Sequence, residues 1–165
     1  KNQSEVSKVD LSYFDQEENK RFIPHVIEPS FGLERTILAI LTSAYFEDEM
    51  NGEQRVVLKL SNEVAPYQFA VSPLLKNKPE LVKLAREIYE NLKAKGFRVV
   101  FDDNGNVGKR YRRQDEIGTP YCVTVDFDTL EDHSVTVRDR DTGEQERVKI
   151  SELIDHIESQ INLVV

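Results

Sequence analysis

Cysteine is nearly missing from this sequence, with Cys122 the only one among 165 residues, and tryptophan is absent. A single cysteine excludes an internal disulfide framework and any zinc site built from several thiolates. No apolar run approaches the roughly 20 residues of a membrane-spanning helix, and the polar first residues do not resemble a signal peptide. We therefore expect a cytoplasmic protein without a membrane segment. The first residue is Lys1 rather than methionine, which favours a trimmed, processed or partial chain.

Basic residues are in the minority, because 22 Lys and Arg face 30 Asp and Glu, and the net charge is −8. This excess of acid argues against a general binder of polyanions, so any nucleic-acid site must be a local basic patch. Hydrophobic residues make up 39% of the chain, which is enough for a folded core. The length fits one domain, or one domain with a piece of another.

The first fifty residues form a segment of their own. Residues 1–20 are polar and aperiodic, which predicts a loosely held arm, and residues 22–28 have the composition of a short strand. A helix then starts at Ser30-Phe31-Gly32. Its broad apolar face predicts a largely buried helix that ends in the acidic stretch Glu47-Asp48-Glu49. The Asn51-Gly52 dipeptide marks a domain boundary.

After this boundary the pattern alternates between strands and helices. Strands are predicted at 56–60, 68–72, 97–101, 121–127, 134–140 and 146–150. Helices are predicted at 79–95 and 108–117, and a last helix is capped by Ser151 and includes Ile161. This order implies an α/β fold in which helices pack on a mixed sheet.

A basic cluster lies in the second of these helices and consists of Lys109, Arg110, Arg112 and Arg113. Four cations around the aromatic ring of Tyr111 are suited to holding a phosphate backbone and stacking a base. Helical spacing also gives Arg112 an acidic partner one turn on, at Glu116. A solvent-exposed helix with ion pairs to such acids explains the same residues. The residues alone leave both an RNA-binding patch and a solvent-exposed helix open.

A second candidate lies where the strand at 22–28 meets the next helix. Free amides at the start of a helix suit an anion, and Arg35 in the first turn can grip a phosphate. An arginine at a helix N-terminus is otherwise unfavourable beside the helix dipole. Pairing of Arg35 with Glu34 or another surface acid is the alternative.

Other chemical signals are weak. Gly105 and Gly108 have the G-x-x-G spacing of a nucleotide-clamping loop, but they follow a strand instead of joining two helices, which favours a plain turn. Cys122 lies mid-strand and is predicted to be a buried small hydrophobe. No metal site and no catalytic residue is predicted, since the three histidines are far apart in the sequence: His25, His133 and His156.

Longer motifs carry a family resemblance. The segment from Phe22 to Arg35, with its Glu-Pro-Ser-x-Gly form, resembles motif 3 of class II aminoacyl-tRNA synthetases, and specifically glycyl-tRNA synthetases of the archaeal/eukaryotic-like form. Val64-Ala65-Pro66 with 70–74 resembles the start of that family's anticodon-binding domain. The segment 108–120, then 125–130 and 137–142, is similar to the same domain.

The resemblance implies a domain organisation and a set of sites. It implies an arm or linker at 1–20, the end of the catalytic domain at 21–50, and an anticodon-binding domain at 55–165 with about five mixed strands and about three helices. It also implies that Arg35 clamps the ATP phosphates and that Glu28 and Ser30 hold glycine. A carboxylate suits the glycine ammonium. Family members make glycyl-adenylate from glycine and ATP with Mg²⁺, and then transfer glycine to its tRNA.

The resemblance also implies partners. Cytosines of the glycine anticodon present an amino group that can donate a hydrogen bond to Asp or Glu. Arginines are suited to contacting RNA phosphates and bases. The expected tRNA contacts are Lys109, Arg110, Arg112 and Arg113, with Arg138 and Arg140 as weaker candidates. Motifs 1 and 2 are absent, so this chain alone is not expected to aminoacylate. The remainder of the catalytic domain is an expected partner, and the complete enzyme is expected to be a homodimer.

Three alternatives remain beside this interpretation. The first is a free-standing, non-catalytic RNA-binding module of the same fold. The second is another synthetase of the same subgroup, for histidine, threonine or proline. The third is a purely structural interaction domain. Retention of Glu28, Ser30 and Arg35 argues against the first, because a pure RNA binder needs no residues for an amino acid or ATP.

Overall fold

The computed structural model describes residues 2–50 and 52–162, and it divides between Thr36 and Ile37 into two compact units. The first unit contains α1 (Asn2–Ser7) and an antiparallel hairpin of β1 (Tyr13–Asp15) and β2 (Lys20–Phe22). The arm predicted at 1–20 therefore contains regular structure. The strand predicted at 22–28 is wrong in this chain. The ladder ends at the Tyr13–Phe22 pair, and residues 23–32 pair with no described strand.

The first unit buries none of its described side chains, which run from residue 3 to residue 36. Its large apolar side chains are exposed, and they include Val26, Ile27 and Phe31. Both clusters of buried hydrophobic residues lie in the second unit. The apolar composition of the first unit is therefore not used to form a core within the described chain.

Helix α2 (Leu33–Ala44) spans the division between the units. It was expected to be largely buried, but Ala44 is its only fully buried residue in the described chain, and Leu38 and Leu41 are exposed. The helix also ends earlier than predicted. The acidic stretch that was expected to close it lies in a strand instead, where backbone pairing with a neighbouring strand replaces the helical hydrogen bonds.

That strand is β3 (Tyr45–Met50), which pairs with β4 (Glu53–Leu58) as an antiparallel hairpin. The predicted domain boundary thus falls inside a hairpin, because Met50 pairs with Glu53. Asn51 lies outside the described residues, while Gly52 has a φ of +78°, a left-handed conformation that glycine adopts readily. Asn-Gly dipeptides favour such turns as strongly as they favour linkers, which explains the wrong prediction.

The rest of the second unit is a mixed five-stranded sheet in the order β6-β5-β7-β8-β9. The strands are β5 (Phe69–Pro73), β6 (Val99–Phe101), β7 (Tyr121–Val125), β8 (Ser134–Asp139) and β9 (Gln145–Lys149). Strand β5 is parallel to both neighbours, and β7, β8 and β9 are antiparallel in turn. The predicted five-stranded α/β fold is confirmed.

Helices α3 (Pro79–Ala94) and α6 (Leu153–Asn162) contribute Leu81, Ile88 and Ile157 to the main core. The side chain of Ile161 lies outside the described residues. A short helix, α5 (Phe127–Asp132), was not predicted, and it begins at a capping box of Asp126 and Thr129. The described residues therefore hold six helices in total, four of them around the sheet, where about three were expected.

Helix α4 (Val107–Ile117) carries the basic cluster, and its two ends fix its position. The side chain of Asn106 accepts a hydrogen bond from the Lys109 amide at 2.9 Å, which caps the start of the helix. Gly118 ends it with a φ of +89°. A Cβ at Gly118 would lie 2.9 Å from the carbonyl oxygen of Leu58, so β4 approaches α4 too closely for any other residue.

Candidate nucleic-acid interface

A cavity of about 630 Å³ opens between α4, the β3–β4 hairpin, strand β8 and the turn after it. Charged side chains dominate its lining. The cations are Arg55, Lys109, Arg112, Arg113 and Arg138, and the anions are Glu53, Asp115 and Glu116. Sequence reasoning predicted a basic patch on α4 with Arg138 as a weaker candidate, and the structure adds Arg55 from β4 and a concave shape. The tRNA contacts predicted on α4 are thus partly gathered at one cavity.

Three cations form the rim of this cavity. Arg112 donates to Glu53 Oε2 at 2.8 Å, and Arg113 makes a bidentate pair with Asp102 at 2.8–2.9 Å. Lys109 has no acidic partner among the residues that the structure describes. The side chain of Glu53 is largely exposed, and exposed ion pairs contribute little to stability, so Arg112 can exchange its carboxylate for a phosphate at small cost. Asp102 is only 11% exposed, so Arg113 is held more firmly than Arg112.

The floor of the cavity is a different arrangement, in which four charges alternate across four elements. Asp48 on β3 pairs with Arg55 on β4, Arg55 with Asp115 on α4, and Asp115 with Arg138 on β8. The pair of Arg55 with Asp48 is bidentate, with distances of 2.6 and 3.0 Å. Hydrogen bonding to Arg55 lowers the pKa of Asp48, so this carboxylate stays charged at neutral pH.

Arg138 is fixed on several sides at once. Both of its terminal nitrogens donate to Asp115, at 2.8 and 3.1 Å, and its guanidinium lies 4.8 Å from the ring centre of Tyr111. Burial by itself would lower the pKa of Arg138, but the hydrogen bonds and charge of Asp115 raise it. The Tyr111 hydroxyl shares a 3.0 Å hydrogen bond with Thr124, and burial raises its pKa.

Two residues predicted to touch tRNA are instead buried in the protein. Arg110 donates to the carbonyl oxygens of Pro73, Asp103 and Gly105. Arg140 donates to the carbonyl oxygens of Leu60 and Gly118, at 2.8 and 2.9 Å, and pairs with its neighbour Asp141. Both arginines are nearly inaccessible to solvent. The prediction of direct RNA contact does not hold for them in this structure, because both side chains are buried and each of their nitrogens except the Arg110 Nε donates to a protein oxygen.

Arg138 is corrected in the same way. It is nearly inaccessible to solvent, and Asp115 occupies its donors. The contacts on α4 that remain candidates are Lys109, Arg112 and Arg113.

The motif 3 candidates lie in the first unit. Glu28 and Ser30 occupy the irregular segment before α2, and Arg35 lies in its first turn. All three side chains are exposed. None of them has a hydrogen bond or ion pair to another side chain within the described chain. Their roles toward glycine and ATP stay predictions.

Other reactive groups are not organised as a site. Among the described residues, no three His, Cys, Asp or Glu side chains are placed to hold a metal ion. Burial raises the pKa of Cys122 to about 12, so its thiol stays protonated. Within residues 2–50 and 52–162, each helix is too short or too polar to cross a bilayer.

Sequence reasoning missed the acids and the arginine that organise the floor. Asp115 lies within the basic run, and the alternative of a solvated helix would place it at the surface, whereas its side chain is 1% exposed. Arg55 is the first residue of the domain predicted at 55–165, and the structure places it in a hairpin strand that pairs with Asp48. The signal that was available is the single arginine beside the apolar run 56–58, since a lone charge in a half-buried strand needs a partner.

Comparison with known proteins places these features in a family. Residues 68–160 match the family model described as the anticodon binding domain. The chain is 52% identical over 158 residues to a glycine–tRNA ligase of Clostridium beijerinckii, which covers 95% of this chain and 33% of that protein. It is 52% identical over 163 residues to a glycine–tRNA ligase of Thermobifida fusca, covering 96% of this chain and 35% of that protein.

A solved structure is similar as well. The RNA binding domain of threonyl-tRNA synthetase from Cryptosporidium parvum Iowa II superposes with a TM-score of 0.55 at 26% identity, over 61% of this chain and 25% of that one. This chain spans about a third of the length of the curated relatives it matches. Because the family model covers more than half of its residues, the chain belongs to the family of anticodon-binding domains.

Proposed function

We propose that this chain is the tRNA-recognising part of a glycine–tRNA ligase, an ATP-dependent enzyme that attaches glycine to its tRNA. The observation that carries the proposal is the rim of the cavity on α4. There Lys109 has no described acidic partner, Arg112 holds an exposed carboxylate that a phosphate can replace, and Arg113 is partly exposed beside them. The resemblance to glycine–tRNA ligases at 52% identity supports glycine over histidine, threonine or proline.

Anticodon recognition follows from the same geometry. RNA loops are read by aromatic stacking and by hydrogen bonds to base edges, while cations hold the backbone. The cavity offers the ring of Tyr111 together with the carboxylate of Glu116, which has no ion pair among the described residues. A carboxylate accepts from the amino group of cytosine. The rim cations then contact phosphates, and Glu116 selects the base.

The first unit is proposed to complete the catalytic site of a longer protein. Glu28 and Ser30 would hold glycine, and Arg35 would hold the ATP phosphates. Their exposure fits this role, because their polar atoms are not used within the described chain. Ile27 is 94% exposed and Phe31 is 86% exposed, which supports coverage by further catalytic residues.

The complete ligase is proposed to be a cytoplasmic homodimer. We propose ATP as its substrate, bound together with Mg²⁺. Among the described residues, no group of three His, Cys, Asp or Glu side chains is placed to hold that ion.

Binding of tRNA by the full 165-residue chain tests the proposal. A glycine tRNA transcript is compared with one whose two anticodon cytosines are replaced, at about 50 and about 200 mM salt. We expect tighter binding of the unaltered transcript. Equal binding of both transcripts would instead support a free-standing RNA-binding module that does not read the anticodon. Absence of binding to either would contradict tRNA recognition by this chain.

A matched pair of variants locates the site. Lys109→Ala on the rim should weaken binding and lower the slope of log Kd against log salt by about 0.7, the value for one phosphate of a single strand. Lys83→Ala, an exposed lysine on α3, should leave both quantities unchanged. Equal effects of the two substitutions would place RNA binding elsewhere.

A further inference from the structure

The cavity holds two classes of ion pair that differ sharply in exposure. At the rim, the side chain of Glu53 is 78% exposed, and its partner Arg112 is 31% exposed. At the floor, Arg55 and Asp115 are each 1% exposed and Arg138 is 6% exposed. Rim arginines can reach RNA, whereas floor arginines cannot unless they leave their carboxylates. The difference assigns separate roles to the two classes.

Charge balance at the floor depends on one residue. The four floor charges, Asp48, Arg55, Asp115 and Arg138, sum to zero. Among the described residues, Asp115 is the only acid in contact with both arginines, since its two oxygens accept from Arg138 and its Oδ2 also accepts from Arg55. Asp48 contacts Arg55 but not Arg138, and it also lies 3.5 Å from the Nζ of Lys59. Without Asp115, Arg138 has no acidic partner among the described residues.

We propose that Asp115 is a positioning residue for RNA selectivity, because it neutralises and ties back the two arginines at the floor of the cavity. This inference rests on the proposed tRNA-binding function of the same cavity. Asp115 does not itself contact RNA. By holding Arg55 and Arg138, it leaves only the rim cations to meet phosphates, so the base-reading groups of the cavity decide which RNA binds.

The physical reason is the cost of an unpaired buried charge. A guanidinium that loses its carboxylate in a low-dielectric site is strongly destabilised, and any anion that enters relieves it. An RNA phosphate is such an anion and carries no sequence information. Loss of the Asp115 charge should therefore draw phosphates to the floor and replace selective binding by sequence-blind binding.

A purely structural role for Asp115 predicts a different result. If Asp115 only joined α4 to β4 and β8, its removal would lower stability and weaken binding to every RNA equally. It would not raise the affinity for unrelated RNA or increase the dependence on salt. The sign of these two effects separates the roles.

The test compares Asp115→Asn with Asp115→Glu in the full chain. Binding is measured against the glycine anticodon stem-loop, its cytosine-replaced form and single-stranded poly(U), over a range of salt. We expect Asp115→Asn to increase the salt slope for poly(U) by about 0.7, for one added phosphate contact, and to bring the two stem-loop affinities together. Asp115→Glu keeps the charge, and we expect it to keep the parental slope even if its melting temperature falls.

A compensating substitution completes the test. Asp115→Asn combined with Arg138→Gln removes one charge of each sign, and it should return the poly(U) slope to the parental value. If Asp115→Asn does not fold, Asp48→Asn is made in a Lys59→Gln background, because Lys59 also pairs with Asp48, and its slope should exceed that of Lys59→Gln alone. An unchanged slope in the neutralised variant, or an equal rise in Asp115→Glu, would overturn the proposal.

Failure of this proposal can be told apart from failure of the proposed function. Poly(U) binding by the variants reports on the floor charges even if the parental chain does not distinguish the two stem-loops. A parental chain without anticodon preference contradicts the proposed function. A poly(U) slope that ignores the charge at position 115 contradicts the role of Asp115.

Discussion

Arg112 and Glu53 form an ion pair of 2.8 Å across 59 positions of sequence. Helical spacing had pointed to Glu116, one turn along α4, as the partner of Arg112. The hairpin of β3 and β4 places an acid from another element closer to the guanidinium. Glu116 is thereby left at the edge of the cavity, without an ion pair among the described residues, and its carboxylate can accept from a base.

Glu53→Gln should strengthen RNA binding at low salt. The substitution removes the carboxylate that competes with RNA phosphate for Arg112, and exposed pairs of this kind are worth roughly 0.5 kcal/mol. The expected gain is about twofold in Kd for the glycine anticodon stem-loop, measured by fluorescence anisotropy. Glu90→Gln on the exposed face of α3 makes the same change of charge and serves as the control. A gain of the same size in the control would show a general effect of net charge.

Arg110→Ala and Arg140→Ala should destabilise the fold instead of removing RNA contacts. Each substitution leaves buried carbonyl oxygens without donors, and the loss of charged hydrogen bonds costs about 3 kcal/mol. Chemical denaturation should show this loss, and RNA affinity per folded molecule should change little. A variant with parental stability and tenfold weaker RNA binding would restore the original prediction for that residue.

The α4 cluster shows how far sequence reasoning reached. At about 100° per residue, the four cations span an arc of about 160° around the helix, so those at its two edges, Arg110 and Arg112, can turn towards the protein. Sequence alone cannot say which one, because the choice depends on where β5 and the loop before α4 supply carbonyl oxygens. Arg110 faces them, while Lys109 does not.

Helix α3 was predictable because its apolar spacing depends only on local sequence. Its buried residues agree with that spacing: Leu81, Ala85, Ile88 and Leu92. The β3–β4 hairpin was missed because acidic residues in β3 are poor strand formers. Pairing with β4 overrides that preference. Asp115 was missed for another reason, since its partners Arg55 and Arg138 are distant in the sequence.

Gly118→Ala should be far more harmful than Gly96→Ala. Both glycines follow a helix with positive φ, +89° and +92°, so both substitutions carry a backbone penalty of about 1 kcal/mol. A Cβ at Gly96 meets nothing within 4 Å, whereas one at Gly118 lies 2.8 Å from Leu60 Cδ1 and 2.9 Å from the Leu58 carbonyl. We expect an additional loss of roughly 2 kcal/mol at Gly118. Equal losses in denaturant titrations would show that β4 can move away from α4.

Acid should destabilise the second unit through Asp48. Hydrogen bonding to Arg55 lowers its folded-state pKa below the usual value near 3.8. A carboxyl with a lowered pKa stabilises the fold above its unfolded pKa, and this stabilisation is lost as the pH falls through the folded value. The melting temperature should therefore be nearly constant from pH 7 to about 5 and fall below about 4. Asp48→Asn should lower the melting temperature between pH 5 and 7 and reduce its fall below about pH 4. Glu90→Gln should change neither quantity.

The exposed apolar side chains of the first unit should make this chain self-associate. Ile27 and Phe31 are almost fully exposed, and no described residue of the first unit is buried. Exposed apolar surface is worth roughly 25 cal/mol per Å² when it is covered, so solvent contact favours association or binding of a hydrophobic dye. Phe31→Ser with Ile27→Ser should lower the apparent mass in light scattering and reduce dye fluorescence, without changing RNA binding by the second unit. Ser7→Ala, an exposed change in the same unit, is the control. A parental chain that stays monomeric and dye-negative at high concentration would show that these side chains are covered within the chain itself, and would remove this support for a missing catalytic partner.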